Sequence, residues 1–170
     1  MNNQLIIKLF NGGSPILINL DGSTDEFYQR KVRQLIIKPC AAKTYFINLD
    51  DVALDLHVSP LCILAYIGSN LSTNHYYMSS NPYIDGTYTM DKLIAIYKSL
   101  IENILICSQC DAPSTYLAVK QNDIYQVCDA CGAKIRKYYI SEFYTWLLEH
   151  GNLKQLETQI QFITDDVDNL

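Results

Sequence analysis

The sequence predicts an α+β chain: a small mixed body with helices packed on a short sheet, then a four-cysteine ribbon, then C-terminal helices. Three observations carry that prediction. Short β-prone runs bounded by turn formers fill much of the first half and alternate with two helical patterns. An apolar stripe at three- and four-residue spacing runs from Thr89 to Ile104. Directly after it come two knuckles, Cys107-Ser108-Gln109-Cys110 and Cys128-Asp129-Ala130-Cys131, separated by seventeen residues.

Taken in order, Gln4 to Phe10 and Pro15 to Leu20 read as a hairpin joined at Asn11-Gly12-Gly13-Ser14, a cluster that supplies positive φ. That cluster is too short for a phosphate-cradling loop and lacks its lysine, so it reads as a turn. Residues 21–31 are polar and read as a loop leading into a short helix. Val32 to Ile37 reads as a strand that Pro39 stops, and Lys43 to Asn48 as another. From Asp50 the pattern is helical, with Val52, Ala53 and Leu56. Ser59 as N-cap and Pro60 at the first helical position then start a second helix, through Leu61, Leu64, Ala65 and Ile67 to Gly68. The pair has a helix–turn–helix shape, but the second helix carries no Arg or Lys to reach base edges and reads as core.

Residues 69–89 are rich in turn formers and tyrosine, and Pro82 to Gly86 reads as a turn between two short strands. Thr89 caps the long helix, whose Leu93, Ile94, Tyr97, Leu100, Ile101 and Ile104 form one stripe leading to the first knuckle. Past the ribbon, Phe143, Trp146 and Leu147 predict a helix ending at Gly151; Leu153, Leu156, Ile160 and Ile163 predict a second. The expected division is a hairpin extension over 1–24, an α/β body over 25–105, a ribbon over 106–139 and a helical tail over 140–170.

The knuckles point to one structural zinc ion held by Cys107, Cys110, Cys128 and Cys131. Two residues between ligands allow a tight turn to present both sulfurs to one ion, and four thiolates fill a tetrahedral site at about 2.3 Å. With no position left for water, such a site is a folding staple and not a catalytic metal. Two disulfides or a redox pair is the competing reading. Cys40 and Cys62 have no partner at ligand spacing and read as free thiols.

Net charge is −5, which speaks against a strongly basic nucleic-acid binder, but the charge is unevenly spread. Between Gln29 and Asn48 the only charges are Arg30, Lys31, Arg33, Lys38 and Lys43, whereas the tail after Glu149 is acidic. Lys134, Arg136 and Lys137 follow the last cysteine beside Tyr138 and Tyr139, a mix of cations and rings suited to phosphate and unpaired bases. A solvated ribbon edge is the plainer reading of the same residues. Arg30, Arg33 and Lys43 are candidates for a second basic face. His57, His75 and His150 form no recognisable catalytic arrangement, and Asp50-Asp51 suits a helix start through the helix dipole alone. No enzyme chemistry is expected. The N-terminus shows no basic leader, and apolar stretches fall short of a bilayer span, so a cytoplasmic protein without membrane association is expected.

The segments DEFYQRKV, KTYFIN, LDDVALDL, SPLCILAYIGSNL, ICSQCDAPSTYL and VCDACGAK, in that order, are similar to the domain shared by the beta subunit of translation initiation factor two and the N-terminal half of initiation factor five. The resemblance covers roughly residues 25–137. It is strongest at the knuckles, at Asp111-Ala112-Pro113-Ser114-Thr115, at Ala130-Cys131-Gly132, and at Lys43-Thr44 and Asn48. It implies an α/β body beside a mobile zinc ribbon, and RNA and protein partners in the ribosomal preinitiation complex, the gamma subunit of factor two among them. Factor five stimulates GTP hydrolysis through an arginine in the opening segment; Gln29 stands at that place, with Arg30 next to it. Ala65 before Tyr66 favours the beta subunit. Residues 1–20 do not read as the helix that usually contacts the gamma subunit, which counts against that partner. The competing readings are a zinc-ribbon transcription factor of a virus or parasite that binds DNA or RNA polymerase in the host cell, a GTPase-activating factor like factor five, and a protein-interaction adaptor docking through the helix around Trp146.

Overall fold

The computed structural model describes residues 16–19, 29–56, 58–78, 81–138 and 141–150. Nine strands and four α-helices are present among them. A two-stranded sheet pairs β1 (Ile16–Asn19) with β2 (Gln29–Val32). A four-stranded sheet has the order β3-β4-β6-β5, from β3 (Ile37–Cys40), β4 (Lys43–Phe46), β5 (His75–Tyr76) and β6 (Tyr83–Asp85). A three-stranded sheet comprises β7 (Thr115–Lys120), β8 (Asp123–Cys128) and β9 (Lys134–Lys137). The helices are α1 (Leu49–Leu56), α2 (Pro60–Leu71), α3 (Met90–Leu100) and α4 (Ser141–His150). Every strand pairing among the described residues is antiparallel.

The helix boundaries follow local chemistry. Ser59 Oγ accepts from Leu61 N–H and Pro60 opens α2, while Thr89 Oγ1 accepts from Lys92 N–H at the start of α3. Residues Cys62 to Gly68 of α2 are all buried, because this helix lies in the middle of the body and touches α1, α3, α4 and the sheet. A Cβ on Gly68 would lie 2.9 Å from His75 Nδ1 and 3.0 Å from Thr73 O, so glycine permits the close approach of β5.

Four expectations need correction. Residues 29–31 belong to a strand, and β1 pairs with β2 in the register Ile16↔Val32; Gln4 to Phe10 and residues 21–28 lie outside the described residues. The strand expected at 32–37 is instead Ile37–Cys40, with Pro39 inside it. Proline is tolerated there because β3 is an edge strand. Residues 33–36 are held by side chains: Asn48 Oδ1 accepts from Ile36 N–H, Asn48 Nδ2 donates to Gln34 O, and Asp55 accepts from Arg33 N–H. The strand expected at 43–48 stops at Phe46. Finally, Tyr83–Asp85 is an interior strand and not a turn; Ile84 is completely buried between β4 and β5, and the reversal comes at Gly86 with φ 96°.

The long helix changes character before the ribbon. After Leu100 a π-helical turn, Ile101–Leu105, adds a residue per turn and closes with Ile106 N–H to Ile101 O at 3.1 Å. Most of the stripe stays inside, with Leu93, Tyr97, Leu100, Ile101 and Ile104 buried and Ile94 half-buried against the same core. One continuous core joins these to Phe46, Val52, Ile63 and Ile84, to Leu117 and Ile124 of the ribbon, and to Phe143 and Leu147 of α4. The helix expected over Leu153 to Ile163, and the end of α4 at Gly151, lie outside the described residues.

Candidate metal centre and the cations around it

The π-turn delivers the chain to Cys107, and the β7–β8 hairpin returns it to Cys128. Gln121 and Asn122, with φ 49° and 66°, form the two-residue turn that fixes this hairpin. The first knuckle binds itself by Cys107 N–H to Ala112 O (3.0 Å) and Asp111 N–H to Cys107 O (2.9 Å). The second repeats both bonds five and four residues on: Cys128 N–H to Ala133 O (2.9 Å) and Gly132 N–H to Cys128 O (2.9 Å). The two knuckles are therefore built alike. Each has a left-handed residue after its second cysteine, Asp111 at φ 58° and Gly132 at φ 72°. Asp129 N–H to Ser114 O, 3.0 Å, ties one knuckle to the other.

This brings the four sulfurs together within 4.8 Å of one another. Cys107 Sγ and Cys131 Sγ are 3.8 Å apart, Cys110 Sγ and Cys128 Sγ 3.7 Å. A tetrahedron with metal–sulfur bonds of about 2.3 Å has edges of about 3.8 Å, whereas a disulfide needs about 2.0 Å. The cluster thus has the size of a single-metal cage, and all four cysteines are unpaired thiols. Gln109 N–H points at Cys107 Sγ at 3.4 Å. Burial pushes the Cys107 thiol up, but that amide and the amide of Cys110, together with hydrogen bonds from the Cys128 and Cys110 thiols, leave the group below its ordinary value. Burial pushes Cys128 up to about 12, so a metal entering this cage displaces protons.

The cage is fastened to the body by Gln126, which is completely buried on β8. Its Nε2 donates towards Ile104 O (3.1 Å), Ile106 O (3.0 Å) and Thr115 Oγ1 (3.0 Å), and Thr115 Oγ1 itself donates to Ile104 O. These carbonyls belong to the π-turn and its exit, where a helix end leaves acceptors without intrahelical partners. Sequence reasoning missed this joint. A glutamine amid Tyr125 and Val127 was the available signal, since a polar residue on an inward strand position calls for a partner.

The candidate cations are dispersed. On β9, Lys134 and Arg136 share a face with Val127 and Tyr125, their cross-strand neighbours, while Lys137 pairs with buried Ile124 on the other. Partial burial holds the Lys137 ammonium below its ordinary range. Arg136 pairs with Asp123 and stacks on Tyr138, 5.3 Å from the ring centre. Arg33 bridges Asp51 (3.1 Å) and Asp55 (3.2 Å) of α1. Lys43 lies over the Tyr83 ring at 4.2 Å. The Arg30 side chain is outside the described residues; its backbone pairs with Ile18.

Of the histidines, His75 and His150 flank Trp146, with ring centres 6.4 Å and 4.6 Å from the indole, and His57 is outside the described residues. Cys40 is exposed and Cys62 buried, both free thiols. No single helix among the described residues is long and apolar enough to cross a membrane.

A small α+β body carrying a four-cysteine ribbon with a metal-sized cage is the class of protein that fold and site define. The chain belongs to the family of the domain found in initiation factor two beta and initiation factor five, whose model matches residues 21–134. Eukaryotic translation initiation factor 5 of Mus musculus is 30% identical over 124 residues, covering 68% of this chain and 29% of the relative. The same factor of Caenorhabditis elegans is 29% identical over 114 residues, covering 64% and 26%. Translation initiation factor 2 subunit beta of Thermofilum pendens is 29% identical over 91 residues, covering 54% and 64%. The chain thus spans little more than a quarter of the length of the factor 5 relatives it matches. The family is one of translation initiation factors.

Proposed function

We propose that this chain is a non-catalytic zinc-ribbon factor of translation initiation that acts by binding RNA and partner proteins of the preinitiation complex. The observation that carries the reading is the four-sulfur cage with its 3.7 and 3.8 Å edges inside the family-matched region. Cys107, Cys110, Cys128 and Cys131 hold one structural zinc ion; with four thiolates it has no site for water or substrate. Lys134 and Arg136, on a face with Tyr116 and Tyr125, supply phosphate contacts, with Lys137 as a lesser contributor because of its position on the opposite face. The gamma subunit is a further candidate partner, and the cytoplasm is the compartment in which such a factor works.

The longer match to factor 5 favours a second reading, that the chain stimulates GTP hydrolysis through Arg30. Sedimentation with purified small ribosomal subunits tests the first. Co-migration that weakens when Lys134, Arg136 and Lys137 are replaced by Gln supports it, and a chain that stays at the top of the gradient refutes it. Stimulated GTP hydrolysis that disappears in Arg30→Ala would establish the second instead.

A further inference from the structure

The solvent face of the four-stranded sheet carries a pattern that the metal centre does not use. Along β4, Thr44 and Phe46 point into the core and Lys43 and Tyr45 out; along β6, Ile84 points in and Tyr83 and Asp85 out. Cross-strand register places Lys38 beside Tyr45, Tyr45 beside Tyr83, and Tyr83 beside Tyr76. Three tyrosines from three adjacent strands therefore form a row. Tyr76 and Tyr83 are stacked with centroids 4.7 Å apart and planes 24° from parallel, and Tyr45 lies 5.3 Å from Tyr83 at 44°.

Cations lie along this row. Lys43 Nζ sits 4.2 Å from the Tyr83 ring centre, and Lys38 is exposed on the edge strand next to Tyr45. Asp85 brings a carboxylate to the same face, and it accepts from Tyr76 OH at 3.3 Å and from Asn74 Nδ2 at 3.4 Å, which fixes the outer ring. Tyr76 stands in the other edge strand and is 39% exposed. Beyond it opens a cleft of about 470 Å³, whose lining includes Tyr76, His75, Trp146, Ser72, Asn74 and the carboxylate-bearing Glu142. Rings next to amides and hydroxyls suit a base that stacks and hydrogen-bonds along its edge.

We propose that the row Tyr45–Tyr83–Tyr76, with Lys38 and Lys43, is a stacking platform for single-stranded RNA, and that an unpaired base continues the stack beyond Tyr76 towards the Trp146 cleft. Tyr83 is already covered by Tyr76 and Lys43, so the π-faces for unpaired bases are those at the two ends of the row, Tyr76 and Tyr45, and the two lysines supply phosphate contacts with no sequence requirement. A protein partner fits less well, since the row offers flat rings and cations in place of a contiguous apolar pocket. The inference rests on the RNA-binding reading above and adds to it a surface separate from the ribbon.

The test uses the full, metal-loaded chain and fluorescence anisotropy with a labelled oligouridylate of about twelve nucleotides and an RNA hairpin duplex of similar length. Tyr76→Ala is expected to weaken single-strand binding at least about fivefold, the low end for loss of one stacked base, with an unchanged salt slope and unchanged duplex binding. Tyr76→Phe, which keeps the ring, is expected to bind within about twofold of the parent. Tyr45→Ala, at the other end of the row, repeats the test at a second site, and circular dichroism confirms folding of each variant. If Tyr76→Ala and Tyr45→Ala bind as the parent does while the Lys134/Arg136/Lys137 replacement loses affinity, the platform is refuted and the RNA reading stands. If the parent chain itself shows no saturable binding to either RNA, both are refuted.

Discussion

The likeness of the two knuckles permits a matched pair of substitutions with opposite signs. Gly132 has φ 72° and no atom within 4 Å of the place a Cβ would occupy, so Gly132→Ala meets no steric clash and changes only the backbone preference. A left-handed non-glycine residue costs about 1–2 kcal/mol, and alanine recovers about 0.5–1 kcal/mol through the lower entropy of its unfolded chain. The difference is a loss of about 1 kcal/mol. Asp111 holds the equivalent left-handed position at φ 58°. Asp111→Gly relieves the strain and adds the same entropy cost, for a gain of about 0.5 kcal/mol, aspartate being among the residues that tolerate this region best. In a chain of this size, about 1 kcal/mol moves the melting temperature by roughly 2–4 °C. Thermal unfolding of the metal-loaded protein should show Gly132→Ala falling by that amount and Asp111→Gly rising by one or two degrees. A fall in both, or no change in Gly132→Ala, refutes the assignment of equivalent left-handed positions to the two knuckles.

Further outcomes follow from single residues. Phe143→Ala, which empties a fully buried site against Tyr66 at 5.0 Å, should cost about 3–5 kcal/mol in urea unfolding. Asn48→Ala removes both bonds that hold residues 34–36 and should cost about 1–3 kcal/mol by the same measurement. Gln126→Glu places a carboxylate among three acceptors and should destabilise the chain at neutral pH more than Gln126→Ala does. Burial pushes the Cys62 thiol up to about 12. The unfolded thiol ionises near pH 8.5, so the stability linked to Cys62 is complete below that pH and is lost as pH rises towards 12. An alkylating reagent at neutral pH should accordingly label exposed Cys40 and spare Cys62, as peptide mass spectrometry would show.

The most local features were the most legible. Ser59-Pro60 and Thr89 cap their helices through their own neighbours, and the knuckles place two sulfurs each by spacing alone, so all three could be read from short stretches. What escaped the sequence depends on distant partners. Pro39 reads as a stop until β3 is known to be an edge, and Tyr83–Asp85 reads as a turn until β4 and β5 are found on either side of it. The tyrosine row is invisible without the order β3-β4-β6-β5, because its rings come from residues 45, 76 and 83. The cations Lys134, Arg136 and Lys137 look alike in sequence, yet register divides them between two faces and gives Arg136 a carboxylate partner.

The most direct measurement is zinc content together with X-ray absorption at the zinc edge on the purified full chain. One zinc per chain, surrounded by four sulfurs at about 2.3 Å, is expected, with metal lost on Cys128→Ser. A folded chain that carries no zinc, or zinc bound through oxygen or nitrogen, contradicts the tetrathiolate cage on which the ribbon is built.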